Sequence, residues 1–230
     1  MPLLFIRHIA LDSGQVRTFG VWQIAEDEPY FREDLHLTPE EEEDLARYKG
    51  IRRLEWLAGR RLLHLLTGAE VRLPLGKNAF AKPFFLHRPE LHCSLSHSHG
   101  IVGAMLAEEV CGCDLQVLVD KMPRLAGKFL HRDEDSFLHS FPPTTRFDLL
   151  HVFWTAKESL YKAYGLKELD FRDHLRVEPF EWTGQSAEPT GWVQKDNFRQ
   201  AYRLHFEKTG LPDDTGAFVW TICVQNHSET

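Results

Sequence analysis

Long apolar runs are missing from this 230-residue sequence. No stretch approaches the roughly 18 apolar residues that a membrane helix needs. The first ten residues hold one short run, Leu3-Leu4-Phe5-Ile6, broken by Arg7 and His8, which is too brief for a secretory signal. A basic excess is also missing. Twenty-seven Lys and Arg stand against 34 Asp and Glu, a net charge of −7. That argues against a generally basic nucleic-acid binder and leaves room for a local cationic pocket. Cysteine is scarce, with four residues at uneven spacing, so a disulfide framework is not expected and a reducing compartment fits. No stretch is rich enough in Pro, Gly or Ser to separate free domains, and no period of 20–50 residues recurs, which argues against a solenoid or propeller. With 43% hydrophobic and 27% charged residues, the chain reads as globular, soluble and cytoplasmic.

Residues 3–10 and 16–25, rich in Leu, Ile, Val, Phe and Trp around Asp12-Ser13-Gly14, predict two paired strands. Thr38-Pro39-Glu40-Glu41 predicts a helix start. Thr38 caps, Pro39 takes the first helical position and Glu41 completes a capping box. The acidic run Glu40 to Asp44 suits the positive end of a helix dipole and reads as a solvated first turn. Ile51, Leu54, Leu57, Ala58, Leu62, Leu65 and Leu66 recur at helical spacing up to Gly68, predicting a helix over 51–67. Its other face carries Arg52, Arg53, Arg60 and Arg61, which by themselves read as solvated. Residues 91–95, 101–107 and 113–119 read as strands. A long helix over about 145–164 ends at Gly165, and the tail is mostly strand, clearest at 201–206 and 217–224. The fold class expected is α+β, as two closely packed halves, 1–110 and 111–230.

Three polar segments could carry chemistry. In His92-Cys93-Ser94-Leu95-Ser96-His97-Ser98-His99-Gly100, hydroxyls and imidazoles suit phosphate oxygens, and glycine lets backbone amides approach an anion. A polar β-turn is the plainer reading. In Cys111-Gly112-Cys113-Asp114-Leu115-Gln116, alternation puts Asp114 and Gln116 on one strand face, where both oxygens could meet a hard cation. On the long helix, Glu158 and Lys162 are four apart and share a face, which alone is a surface ion pair of a few tenths of a kcal/mol. Phe147, Leu150, Trp154 and Tyr161 read as core.

Together and in this order, these segments resemble the 4′-phosphopantetheinyl transferases of the larger, two-half, surfactin-synthetase-activating type. Members carry a Gly-Lys-Pro-like segment, an Asn-Leu-Ser-His-Ser-like turn, Gly-Val-Asp-Val-Glu, and Trp-x-x-Lys-Glu-x-x-x-Lys-Ala. This sequence has Lys82-Pro83, Leu95-Ser96-His97-Ser98, Gly112-Cys113-Asp114-Leu115-Gln116, and Trp154-Thr155-Ala156-Lys157-Glu158-Ser159-Leu160-Tyr161-Lys162-Ala163. Weaker similarity reaches upstream through Leu57-Ala58-Gly59-Arg60.

The resemblance implies two pseudo-symmetric α+β halves with coenzyme A in the cleft between them. It implies Mg²⁺-dependent transfer of the phosphopantetheine arm of coenzyme A to a serine of an apo carrier protein, as in a holo-[acyl-carrier-protein] synthase, with release of adenosine 3′,5′-bisphosphate. Asp114, Gln116 and Glu158 are then the metal residues, with Mn²⁺ as an alternative ion. Ser96 and His97 contact the 3′-phosphate, Lys82 the nucleotide side and Lys162 the pyrophosphate. Arg53 and Arg60 are further phosphate contacts, and Glu158 and Lys162 carry the catalysis. The implied partner is an acyl, peptidyl or polyketide carrier protein, with no nucleic acid and no membrane. A monomer follows because one chain supplies both halves.

The sequence departs from the pattern at three positions. Gln116 replaces a second strand carboxylate and removes one negative charge, Ser94 stands where Asn is common, and Ala81 precedes Lys82-Pro83 in place of Gly. Two other readings compete. One is a non-catalytic relative that binds coenzyme A or a carrier protein. The other is a zinc protein using Cys111 and Cys113 with His92, Cys93, His97 and His99, although Cys-x-Cys is not the usual knuckle spacing.

Overall fold

The two apolar segments at the start pair antiparallel as β1 (Leu3–Ala10) and β2 (Val16–Gln23). The turn expected at Asp12-Ser13-Gly14 lies outside the residues that the computed structural model describes, which are 3–10, 16–212 and 216–226. The chain forms two units, Met1–Val110 and Cys111–Thr230. In the first, α1 (Glu28–Arg32), α2 (Pro39–Leu45) and α3 (Gly50–Thr67) precede β3 (Leu75–Lys77), β4 (Pro83–Phe85), β5 (His92–Ser98) and β6 (Ile101–Ala107). The main sheet runs β1-β2-β6-β5, entirely antiparallel, and β3 and β4 form a separate hairpin.

Helix α3 lies across β6, β2 and β5. Its apolar positions Leu57, Ala58, Leu62 and Leu63 bury against Val102 and Ala104 of the sheet. Each fully buried large aliphatic side chain contributes about 1.5–3 kcal/mol. The arginine face is not solvated as expected. Arg53 donates to both carboxylate oxygens of Glu28, at 2.6 and 2.8 Å, and to the Leu45 carbonyl at 2.8 Å. Arg61 pairs with Asp34. Arg60 is buried against Glu41 and Asp44, with its guanidinium 3.1 Å from the centroid of Trp56.

The start of α2 follows the sequence. Thr38 Oγ1 accepts from the Glu41 N–H, and the Glu41 carboxylate accepts from the Thr38 N–H at 3.1 Å. The acidic first turn is solvated only in part, at Glu40, Glu42 and Glu43. Glu41 is buried and bidentate with the buried Arg72, while Asp44 accepts from Trp56 Nε1 at 2.9 Å and Lys77 Nζ at 2.6 Å. The acids meet the arginines of α3 and of the loop after it, so the two charge runs satisfy one another.

The second unit begins with β7 (Cys111–Val117), α4 (Met122–Phe129), α5 (Arg132–His139) and α6 (Pro143–Tyr164). It continues through β8 (Leu175–Val177), β9 (Ser186–Ala187), β10 (Thr190–Lys195), β11 (Phe198–Gly210) and β12 (Ala217–Gln225). Its antiparallel sheet runs β7-β12-β11-β10-β8, with β9 on β11. Helix α6 packs on β7 and β12 and ends at Gly165 in a left-handed cap. Its side chains are buried on several faces because α4 and α5 pack against it as well.

A polar seam fixes its register. Thr155 Oγ1 and Thr221 Oγ1 are 2.7 Å apart, and Ser159 Oγ donates to Thr221 O at 3.1 Å. Each such bond is worth about 1 kcal/mol net. Both units are therefore a long helix against an antiparallel sheet, with different strand orders. No described helix is long and apolar enough to cross a membrane.

Candidate active site

One candidate centre lies where β7 meets α6. Strand alternation puts Gly112, Asp114 and Gln116 on one face. A side chain at Gly112 would overlap the Ser159 carbonyl oxygen and lie 2.9 Å from the Ala163 nitrogen, so glycine is what lets the strand touch the helix. Two residues on, Asp114 meets Lys162. Lys162 Nζ donates to Asp114 Oδ1 at 2.7 Å and to the Cys113 carbonyl at 3.0 Å. Lys162 is thus no mere partner of Glu158 along an exposed helix face, because it reaches across to the strand.

Burial pushes the Glu158 carboxyl up to about 7, the negative charge of Asp114 adds to the rise, and Lys162 opposes it. Burial pulls Lys162 downward, but Asp114 and Glu158 outweigh that and leave it raised. Two carboxylates and one ammonium therefore share a partly dry site with one negative charge in excess when all are ionised. A hard divalent cation fits this set, since the donors are oxygens and the cation would relieve the repulsion between Asp114 and Glu158. Gln116 Nε2 donates to Val117 O at 2.8 Å, so any ligation by Gln116 is through Oε1.

Among the described residues, no three His, Cys, Asp or Glu side chains come together as a metal site. The zinc reading therefore finds no ligand set there. Cys93, Cys111, Cys113 and Cys223 are buried.

Lys157, beside Glu158 in sequence, is wholly buried. Its Nζ meets Glu134 Oε2 at 2.6 Å and donates to the carbonyls of Phe129 and Phe171 at 2.7 and 2.9 Å. Burial lowers its pKa to about 8, against the pull of Glu134. Glu134 also accepts from the His131 N–H at 2.8 Å and the Val177 N–H at 3.0 Å. Trp154 stacks on Phe171 at 5.8 Å and packs edge-on to Phe129 at 5.4 Å. Two of the conspicuous residues of the helix motif, Trp154 and Lys157, thus hold scaffold. Glu134 had no sequence signal beyond the short capping box from His131.

The first unit holds a second polar cluster at the β5–β6 hairpin. His99 and Gly100 form its two-residue turn, both with positive φ (50° and 78°). Ser94, Ser96 and Ser98 are buried strand residues, and His97 is more exposed. His97 Nδ1 lies 2.5 Å from Arg52 Nη1 and 3.1 Å from Glu55 Oε2. Arg52 and Glu55 sit on α3, and neither was singled out as a site residue. Their only signal was position on the polar side of a helix, 45 and 42 residues before His97.

Lys82 stands on the β3–β4 hairpin, where its N–H donates to Asn78 Oδ1 at 3.0 Å. Ala81 before it has φ 67°, the left-handed region that glycine occupies more cheaply. The structure gives Arg53 and Arg60 partners inside their own unit. Glu28, bonded to Arg53, is lowered to about 2. Arg60 is lowered to about 10 by burial, with Glu41 and Asp44 opposing. Arg60 in particular is enclosed beside Glu41 and Asp44 of α2.

The model of the 4′-phosphopantetheinyl transferase superfamily matches residues 110–223, a span that contains Asp114, Gln116, Glu158 and Lys162. That span, just under half of the chain, belongs to the 4′-phosphopantetheinyl transferase superfamily. The chain is 30% identical over 120 residues to 4′-phosphopantetheinyl transferase AcpT of Salmonella typhi, covering 51% of this chain and 62% of that relative. AcpT of Escherichia coli K12 is 30% identical over 123 residues, covering 51% and 60%. The transferase gsp of Aneurinibacillus migulanus is 27% identical over 111 residues, covering 48% and 46%. The chain thus spans about three fifths of the AcpT relatives and about half of gsp. Lys82, Ser96 and His97 lie outside the superfamily match.

Proposed function

We propose that this protein transfers the 4′-phosphopantetheine arm of coenzyme A to a serine hydroxyl of an apo acyl, peptidyl or polyketide carrier protein, in an Mg²⁺-dependent reaction. The observation that carries this reading is the Asp114–Glu158–Lys162 arrangement, held by the close approach at Gly112. Asp114 and Glu158, with Gln116 through its amide oxygen, hold the ion. When bound, Mg²⁺ neutralises charge on the pyrophosphate of coenzyme A and on the leaving bisphosphate.

With the ion bound, the ionised Glu158 carboxylate accepts the proton of the carrier serine hydroxyl. The serine oxygen then bonds to the phosphorus that bears the pantetheine arm. The bond from that phosphorus to the bridging oxygen breaks, and adenosine 3′,5′-bisphosphate leaves with the electron pair. Lys162 keeps Asp114 in place and adds positive charge beside the departing phosphate. In the first unit, His97 and Ser96 act on the 3′-phosphate and Lys82 on the nucleotide. Arg53 and Arg60 support these residues through the packing of α1 and α2.

Intact-mass spectrometry of apo carrier proteins incubated with the protein, coenzyme A and Mg²⁺ tests this. A phosphopantetheine mass gain that vanishes with EDTA is expected. No gain on any carrier, with coenzyme A still bound in calorimetry, would replace transfer by binding alone and point to Gln116.

A further inference from the structure

Glu55 is a buried acid on α3, with its side chain about 6% exposed, and both of its oxygens are committed to the hairpin that carries His97. Oε1 accepts from the Gly100 N–H at 3.1 Å. Oε2 lies 3.1 Å from His97 Nδ1 and 3.4 Å from Arg52 Nη1. The turn is held from the other side as well, because the Ile24 N–H donates to the Gly100 carbonyl at 2.8 Å. A carboxylate buried at this cost stays where its hydrogen bonds are worth keeping.

The chemistry of His97 Nδ1 is set by two neighbours of opposite kind. Arg52 can only donate, so when it holds Nδ1 the ring is the neutral tautomer with its proton on Nε2. Glu55 can only accept, so when it holds Nδ1 that nitrogen carries hydrogen. A ring protonated at both nitrogens then donates from Nε2 as a cation. In either state Nε2–H is the donor that would meet an anion. Arg52, about half exposed, is the partner able to swing away when an anion draws it, and its departure passes Nδ1 to Glu55.

We propose that Glu55 is the positioning residue of an anion-binding group formed by His97 and Arg52, fixing the orientation and proton inventory of the imidazole that selects for a terminal phosphate. This rests on the reading of coenzyme A as substrate, and the anion is then its 3′-phosphate. Glu55 itself touches no ligand. It acts through His97 and through the Gly100 turn.

Titration calorimetry of the full chain with coenzyme A and with 3′-dephospho-coenzyme A tests the proposal. Wild type should prefer coenzyme A. His97→Ala should lose that preference, and Glu55→Gln should lose about tenfold of it. Glu55→Gln combined with His97→Ala should lose no more than His97→Ala alone. Gln keeps an acceptor for the Gly100 N–H, so the variant retains the turn. A role confined to the turn would therefore leave the phosphate preference intact.

A second measurement is long-range ¹⁵N–¹H NMR of the His97 ring. Adding coenzyme A should protonate Nδ1 in wild type and leave it unprotonated in Glu55→Gln. Undiminished preference for coenzyme A in Glu55→Gln alongside its loss in His97→Ala would overturn the role of Glu55. An unchanged Nδ1 response in Glu55→Gln would overturn it as well. A wild type that binds neither compound would overturn the coenzyme A reading itself.

Discussion

Helices α3 and α6 do the same architectural work with opposite treatment of charge. Each lies across an antiparallel sheet in its own unit. On α3, Arg53, Arg60 and Arg61 find acids on α1, α2 and the turn after α1, and the buried Arg72–Glu41 pair completes the network. On α6, Lys157 is balanced by Glu134 in the same manner. The next residue, Glu158, is half-buried beside Asp114, and Lys162, the cation that opposes its charge, is committed to Asp114. Charge pairs that close on themselves build scaffold. The cluster that does not close is where the proposed cation and phosphate ester would act.

The largest expected effect comes from breaking the open cluster. Glu158→Gln should lower transfer by about 10²–10⁴-fold, in the range of a lost general base, with circular dichroism unchanged. Near wild-type turnover in a folded variant would remove Glu158 from the reaction. Breaking a closed pair should do the reverse. Glu41→Gln leaves Arg72 buried with one charge unanswered and should cost about 3–5 kcal/mol in denaturant unfolding, while turnover per folded molecule stays near wild type. Equal stability would mean that the Glu41 network is not the support described.

A pH series sharpens the contrast. Glu158 titrates near 7 when folded and near its ordinary 4.5 when unfolded. Between those values the folded state binds more protons, so this group makes metal-free stability fall as pH rises from about 4.5 through 7. Melting temperature without Mg²⁺ should decline over that window more steeply in wild type than in Glu158→Gln. Parallel curves would contradict the raised titration.

The smallest effect concerns the hairpin of Lys82. Ala81→Gly relieves a left-handed alanine and should raise stability by about 1 kcal/mol, unless the added freedom of the unfolded chain offsets it. Chemical denaturation reads the sign.

Much of this was legible because its signals are local. The capping box at Thr38 and Glu41, the apolar stripe of α3 and the glycine after α6 each need only a few neighbouring residues. Helices α1, α4 and α5 were not, since five to eight residues give helical periodicity too little length to register. The fate of charges was also hidden. Glu41 and Arg72 are 31 residues apart, Asp114 and Lys162 are 48 apart, and Glu134 has no pattern that ties it to Lys157. Resemblance brought Asp114, Glu158 and Lys162 into one site, but it gave no reason for Gly112, whose necessity is a helix carbonyl 47 residues on. The pairing of Arg60 with Glu41 and Asp44 was hidden in the same way, because those acids lie 19 and 16 residues before it.

The most direct test of the open cluster is calorimetry of Mg²⁺ binding near pH 7, repeated in buffers of different ionisation enthalpy. If Asp114 and Glu158 hold the ion, binding to wild type releases a fraction of a proton from Glu158, and Glu158→Gln abolishes that release and weakens binding. The same affinity and the same proton count in both proteins would contradict the account.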